Sequence, residues 1–202
     1  MFKDFIFDLQ RFEDIYNDEN NIFVSGTSNN DFIHNGAADD YNEENYSDKG
    51  SGVTIDAGKG DDYIENYGAS NVSIFGGAGN DDIYNQSVVY HYYELKNEDG
   101  EWSEDGEWEE VEEDIMPGYS TLYGGSGHDY IYNEGFYVTI NGGKGNDTIS
   151  LGYANLIQYK SGDGKDLIQG FNADDTLSIS GGTYSTQESD AAIPVSACPN
   201  VS

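Results

Sequence analysis

The apolar residues of this chain come in short clusters that alternate with polar ones at a period of two. Val53-Thr54-Ile55, Val72-Ser73-Ile74, Ser120-Thr121-Leu122, Val138-Thr139-Ile140 and Ile157-Gln158-Tyr159 each set a polar residue between two positions on the opposite face. That is the pattern of a strand with one buried face. After each cluster comes a turn-rich stretch and then a short run that carries one isoleucine: Ile64, Ile83, Ile131, Ile149 and Ile168. The pattern predicts units of roughly 18 residues, each made of two short strands and two turns. Helices are disfavoured, because glycine falls every few residues through this zone and each costs about 1 kcal/mol against alanine in a helix interior. Stacked units would pair every strand with its equivalents above and below and align the isoleucines and valines in columns. One unit could bury little by itself, so the array should form cooperatively.

The turns before the isoleucines repeat as closely as the strands. "AGKGDDYIE", "GGAGNDDIY", "GGSGHDYIY", "GGKGNDTIS" and "SGDGKDLIQ" start at residues 57, 76, 124, 142 and 161, so the steps between them are 19, 48, 18 and 19 residues. The long step is one ordinary unit of 18 plus an insertion of 30. Glycine occupies the first, second and fourth positions: Gly58 and Gly60; Gly76, Gly77 and Gly79; Gly124, Gly125 and Gly127; Gly142, Gly143 and Gly145; Gly162 and Gly164. Ala57 and Ser161 stand in for the first glycine of their phrases. The sixth position is always aspartate: Asp62, Asp81, Asp129, Asp147 and Asp166. A weaker copy, "GTSNNDFIH" at residue 26, keeps Asp31 and Ile33 without the glycine pattern.

Glycines at these three positions are expected to let the backbone turn left-handed and bring carbonyl oxygens inward. The aspartate adds a carboxylate beside them, and stacking brings the next turn within reach. Hard oxygen ligands in a flexible arrangement suit Ca²⁺ better than Mg²⁺, Zn²⁺ or copper. The five phrases resemble the RTX, or haemolysin-type calcium-binding, nonapeptide repeat G-G-x-G-x-D-x-U-x, over roughly residues 22 to 181. The resemblance implies an all-β fold, a parallel β-roll, with Ca²⁺ held between successive turns by loop carbonyls and sixth-position carboxylates. It assigns the five aspartates as side-chain ligands and the loop glycines as backbone ligands. The alternate turns, such as "NYGASN", "NEGFYV" and "LGYANL", have no sixth-position aspartate, so calcium is expected along one edge only. Five stacked loops have four gaps between them, which makes about four ions the expected count.

Charge sharpens this picture. With 39 Asp and Glu against 8 Lys and Arg, the formal charge is −31, a self-repulsion that opposes compaction unless cations are bound. Nucleic acid and anionic membrane surfaces are disfavoured as partners, since both call for basic residues and this chain has only 8 Lys and Arg. Yet 14% of the residues are aromatic, which separates it from disordered acidic tails. A single cysteine, Cys198, permits no internal disulfide or Cys-based zinc site. The start "MFKDFIFDLQRF" is interrupted by Asp4 and Asp8, unlike a cleaved secretory signal, and no apolar run is long enough to span a membrane.

Residues 1–21 are expected to cap the roll or serve export, the roll to run from 22 to 181, and 182–202 to form a tail outside the repeat, disordered or truncated. Within the insertion, at about 88–118, the runs "SVVYHYYEL" and "EWEEVEED" suggest an extruded acidic hairpin bearing Trp102 and Trp108. Catalysis finds no support: His34, His91 and His128 are scattered, and no zinc-protease, nucleophile-elbow or phosphate-loop motif is present. The expected protein is therefore a non-enzymatic calcium binder that folds on binding its ion. It is expected to be extracellular or on the cell surface, exported without a cleaved signal by a type I-like route. An alternative is an adhesion or surface-layer module in which the insertion contacts a protein or glycan surface. A polysaccharide lyase or epimerase ranks lower, because the array leaves no room for a catalytic module.

Overall fold

The computed structural model describes residues 14–36, 49–96, 102, 107–181, 183–186 and 192–198. Two parallel sheets stack face to face, and the chain passes from one to the other at every turn. The first holds β1 (Asp14–Asn17), β3 (Phe32–Gly36), β5 (Tyr63–Tyr67), β7 (Asp82–Gln86), β11 (Tyr130–Asn133), β13 (Thr148–Ser150) and β15 (Lys165–Gln169), in that order. The second holds β2 (Phe23–Ser25), β4 (Thr54–Asp56), β6 (Ser73–Ala78), β10 (Thr121–Ser126), β12 (Thr139–Lys144), β14 (Leu156–Lys160) and β16 (Thr176–Ser180). This is the parallel β-roll that the repeat implied. Among the described residues there is no helix, and none long and apolar enough to cross a membrane.

Register explains the core. Ile33, Ile64, Ile83, Ile131, Ile149 and Ile168 face one another in consecutive strands of the first sheet. Val24, Ile55, Ile74, Leu122, Ile140 and Ile157 do the same in the second. All of these are buried. Burying each such side chain contributes about 1.5–3 kcal/mol, and the benefit exists only when a coil has a neighbour.

The insertion does not disturb the stacking: β10 pairs with β6, and β11 with β7, in unbroken register. The excursion is an antiparallel hairpin of β8 (Val88–Lys96) and β9 (Glu107–Ile115), with Trp102 and Trp108 exposed. At the N-terminal end, Asp14–Asn17 of the segment expected to precede the roll adds a strand to its first sheet. The remaining capping residues, 1–13, lie outside the described residues. At the other end the tail departs from expectation. β17 (Thr183–Thr186) and β18 (Ala192–Cys198) run antiparallel, and β18 pairs with β15. Physically, an unpaired edge strand presents a row of open backbone donors and acceptors, and the tail covers the edge that β15 would otherwise expose.

Candidate metal centre

The turn entering each strand of the first sheet carries the repeated glycines and aspartate, and stacking places these groups in columns. Asp62, Asp81, Asp129, Asp147 and Asp166 are all buried, none more than 5% exposed. Each uses Oδ1 in the same way, accepting the backbone N–H of the aspartate one coil earlier. Asp31 donates to Asp62 at 2.8 Å, Asp62 to Asp81 at 3.0 Å, Asp81 to Asp129 at 2.9 Å, Asp129 to Asp147 at 2.9 Å, and Asp147 to Asp166 at 3.1 Å. The other oxygen is different. Oδ2 of Asp62, Asp81, Asp129 and Asp147 is buried with no hydrogen-bond partner among the described residues. A buried carboxylate oxygen with no partner is costly in an apolar surrounding.

Electrostatics report the same imbalance. Burial pushes the carboxyls of Asp62, Asp129 and Asp166 up to about 7 and that of Asp81 to about 6, against the backbone N–H bond each accepts, which pulls the other way. Asp147 is raised as well, again by burial first. Neighbouring aspartates in the column add like-charge repulsion at Asp62, Asp129 and Asp166. A cation beside Oδ2 would remove both penalties.

Glycine carbonyls complete the surroundings. The second- and fourth-position glycines take left-handed backbone, with φ of 110° and 139° at Gly77 and Gly79 and 118° and 141° at Gly125 and Gly127. Carbonyl oxygens of one coil occupy the space a Cβ on the next would need: Gly58 at Gly77, Gly77 at Gly125, Gly125 at Gly143, and likewise Gly60 at Gly79, Gly79 at Gly127, Gly127 at Gly145. The first glycine corrects the expectation that all three turn left-handed. Gly76, Gly124 and Gly142 have ordinary φ; they are glycine because the position-6 carboxylate lies where a Cβ would be. A Cβ on Gly76 would sit 2.5 Å from Asp81 Oδ2 and 2.7 Å from the Gly124 carbonyl oxygen. At Gly124 the same spot is approached by Asp129 Oδ2 and the Gly142 carbonyl. A carboxylate oxygen and a carbonyl from adjacent coils thus converge, in a space kept open by a missing side chain. Among the described residues no three His, Cys, Asp or Glu side chains gather, and the other oxygens approaching these spots are glycine carbonyls. The oxygen-only donor set fits Ca²⁺.

The ends of the column differ. Asp31 satisfies both its oxygens locally: Oδ2 accepts the Thr27 N–H at 2.6 Å and Oδ1 the Thr27 hydroxyl at 3.0 Å. In the last turn Gly164 still stacks on Gly145, but a Cβ at Gly162 would meet nothing within 4 Å. Tyr159, aligned with the strand that carries Gly142, donates its hydroxyl to the Gly164 carbonyl at 2.6 Å. That carbonyl is thereby occupied by the protein itself.

Two further columns escaped the sequence reading. Fifth-position side chains cap the next coil's backbone: Asn30 accepts from Asp61, Asp61 from Asn80, Asn80 from His128, His128 Nδ1 from Asn146, and Asn146 from Lys165, at 2.7–2.9 Å. On the opposite edge the carboxamides of Asn17, Asn35, Asn66, Asn85, Asn133 and Asn155 form a continuous ladder, each Nδ2 donating to the next Oδ1 at 2.6–3.2 Å. The signal was present as an asparagine two residues after Ile15, Ile33, Ile64, Ile83 and Ile131.

The model of the RTX calcium-binding nonapeptide repeat matches in four copies, over residues 68–86, 117–136 and 138–154. These stretches contain the three phrases with a complete glycine set and leave out those begun by Ala57 and Ser161. No curated protein and no solved structure is significantly similar to the chain. Residues 68–86, 117–136 and 138–154 of the roll carry RTX calcium-binding nonapeptide repeats.

Proposed function

We propose that this chain is an exported, non-enzymatic calcium-binding protein whose roll folds when Ca²⁺ enters the column of aspartates. The observation that carries the reading is the run of buried carboxylates whose Oδ2 atoms have no partner, at Asp62, Asp81, Asp129 and Asp147. The proposed ligands are those four carboxylates with Asp166, and carbonyls of Gly58, Gly60, Gly76, Gly77, Gly79, Gly124, Gly125, Gly127, Gly142, Gly143 and Gly145, with Gly162 and Gly164 as the weakest contributors. About four ions along one edge follow from the gaps between five loops. A formal charge of −31 and the conformational entropy of so many glycines oppose the ion-free fold, while bound ions neutralise the buried acids and release strand pairing. Such a chain would remain unfolded where Ca²⁺ is scarce and fold outside, which suits passage through a narrow secretion channel.

Far-ultraviolet circular dichroism of the full chain, in chelator and then in millimolar Ca²⁺, tests the proposal. The expected result is a disordered spectrum that becomes β-rich, with isothermal titration giving about four ions per chain. A β-rich spectrum indifferent to chelator overturns it.

A further inference from the structure

On the edge opposite the aspartates, one residue in each coil adopts left-handed backbone just before the strand of the second sheet. In three coils that residue is Asn21, Gly52 or Asn71, with φ of 57°, 71° and 58°; asparagine and glycine accept this conformation readily. The next two coils place Tyr119 and Tyr137 there instead, with φ of 56° and 53°, and the one after them Ala154, with φ of 53°. A bulky residue in this region is a backbone outlier, and such strain concentrates at functional surfaces. The two rings stay largely in solvent. They are 62% and 58% exposed, and neighbouring Tyr153 is 65% exposed.

The rings are nevertheless held in place. Tyr119 and Tyr137 lie alongside one another at 5.5 Å, and Phe136 meets both edge-on at 5.5 and 5.6 Å. Phe136 itself fits because Gly118 has no side chain, since a Cβ there would stand 2.6 Å from the ring. Tyr153 follows in the register position of Gly118 and Phe136. The result is a preformed pair of exposed tyrosines, Tyr119 and Tyr137, one coil spacing of roughly 4.8 Å apart, with exposed Tyr153 beside them in the column of Phe136.

Its charge is as telling as its shape. The three turns "PGYS", "GFYV" and "GYAN" hold no charged residue, in a chain with 39 Asp and Glu. Glu134, adjoining the second turn, is engaged by Ser87 and the Tyr132 hydroxyl. A cationic partner would be drawn to the acidic surfaces elsewhere, and an acidic polysaccharide, nucleic acid or a second copy would be repelled by the whole. What fits an uncharged row of rigid rings tipped with hydroxyls is a ligand that offers apolar C–H faces together with hydroxyls.

We propose that Tyr119, Tyr137 and Tyr153 form a binding platform for a neutral oligosaccharide, separate from the calcium edge. The test is calorimetric titration of the full chain in millimolar Ca²⁺ with cellohexaose and laminarihexaose, beside a hexa-arginine peptide. The double variant Tyr119→Asn/Tyr137→Asn takes the residue this column already carries at 21 and 71. It should keep the β-rich spectrum and melt no lower than the parent, while losing at least about tenfold in affinity for the hexaose. Trp108→Ala on the hairpin should bind as the parent does. The proposal is overturned if neither hexaose binds saturably, if the double variant binds unchanged, if binding follows Trp108 instead, or if the peptide alone binds at the tyrosines.

Discussion

The two edges of the roll solve the same problem with different chemistry. Both bury a polar side chain in every coil and stack it on its neighbour at the strand spacing. On one edge the side chain is asparagine, which carries a donor and an acceptor, so each Nδ2 meets the next Oδ1 along the ladder as far as Asn155, whose Nδ2 alone has no partner among the described residues. On the other it is aspartate, which has acceptors only. One oxygen finds a backbone N–H and the other finds nothing. A difference of one amide against one carboxylate makes the first edge self-sufficient and leaves the second waiting for a cation.

The largest effect that follows is on pH. Burial raises the folded-state pKa of Asp62, Asp129 and Asp166 to about 7 and of Asp81 to about 6, above the ordinary 3.8. A folded state that binds protons more tightly than the unfolded one gains stability as pH falls from about 7 toward 4. In chelator, the roll should therefore acquire β-structure on acidification, followed by circular dichroism, with a midpoint inside the window between the raised values of about 6 to 7 and the ordinary 3.8. In Ca²⁺ the sign reverses, because protons compete for the same oxygens and the apparent affinity drops across that range. A midpoint below that window would trace the folding to the surface acids instead.

Exchanging the edges one residue at a time should move stability in opposite directions. Asn85→Asp removes the donor that meets Asn133 Oδ1 at 2.6 Å and sets a carboxylate against it. Breaking a buried polar pair so that a charge is stranded costs about 3–5 kcal/mol, read as a lower urea midpoint even in saturating Ca²⁺. Asp81→Asn keeps the shape and removes a buried charge. In chelator it should show more β-structure by circular dichroism than the parent, which is disordered there. In Ca²⁺ it should bind one ion fewer and fall short of the parent by about 2 kcal/mol, the scale of one charge-assisted contact.

Why the aspartate edge was legible in the sequence and the asparagine edge was not is itself physical. Asp62 and its equivalents come wrapped in glycines that only a tight, backbone-lined turn demands, so the phrase stands out against the rest of the chain. Asn66 and its equivalents need no special backbone around them. Asparagine is common in any turn, and the spacing breaks where Leu151 follows Ile149 and Asn155 takes over the ladder. The columns of Ile64 and Ile74 were readable because burial on one face imposes a period of two. The left-handed backbone at Tyr119 was not, since no local rule would place tyrosine there. Tyr159 was read correctly as strand, but its grip on the Gly164 carbonyl depends on two extra residues between strand and loop, a detail that only the packed turn reveals.

Within the aspartate edge the glycines offer a finer contrast. Gly125 has φ of 118° and the Gly77 carbonyl oxygen in the space a Cβ would need, whereas Gly162 has φ of 99° and open space. Both pay for alanine in backbone strain, about 1–2 kcal/mol. Only Gly125→Ala must also push a neighbouring backbone aside, which adds about 1–3 kcal/mol. Thermal melts in Ca²⁺ should place Gly125→Ala well below Gly162→Ala; equal losses would mean the carbonyl column is free to relax.

The smallest expected effect lies where the aspartate edge comes closest to behaving like the asparagine edge. Asp31 belongs to the column by position, yet Thr27 satisfies it through a backbone N–H at 2.6 Å and a hydroxyl at 3.0 Å. Thr27→Val keeps the volume and the backbone bond and removes only the hydroxyl. The loss should be about 1–2 kcal/mol, the worth of a hydrogen bond to a charged group, and it should be nearly the same at the lowest Ca²⁺ that folds the chain as at saturation. If instead the deficit disappears at saturation, the ion has taken the place of the hydroxyl, and Asp31 is a ligand held in reserve by Thr27 rather than a carboxylate already satisfied by the chain.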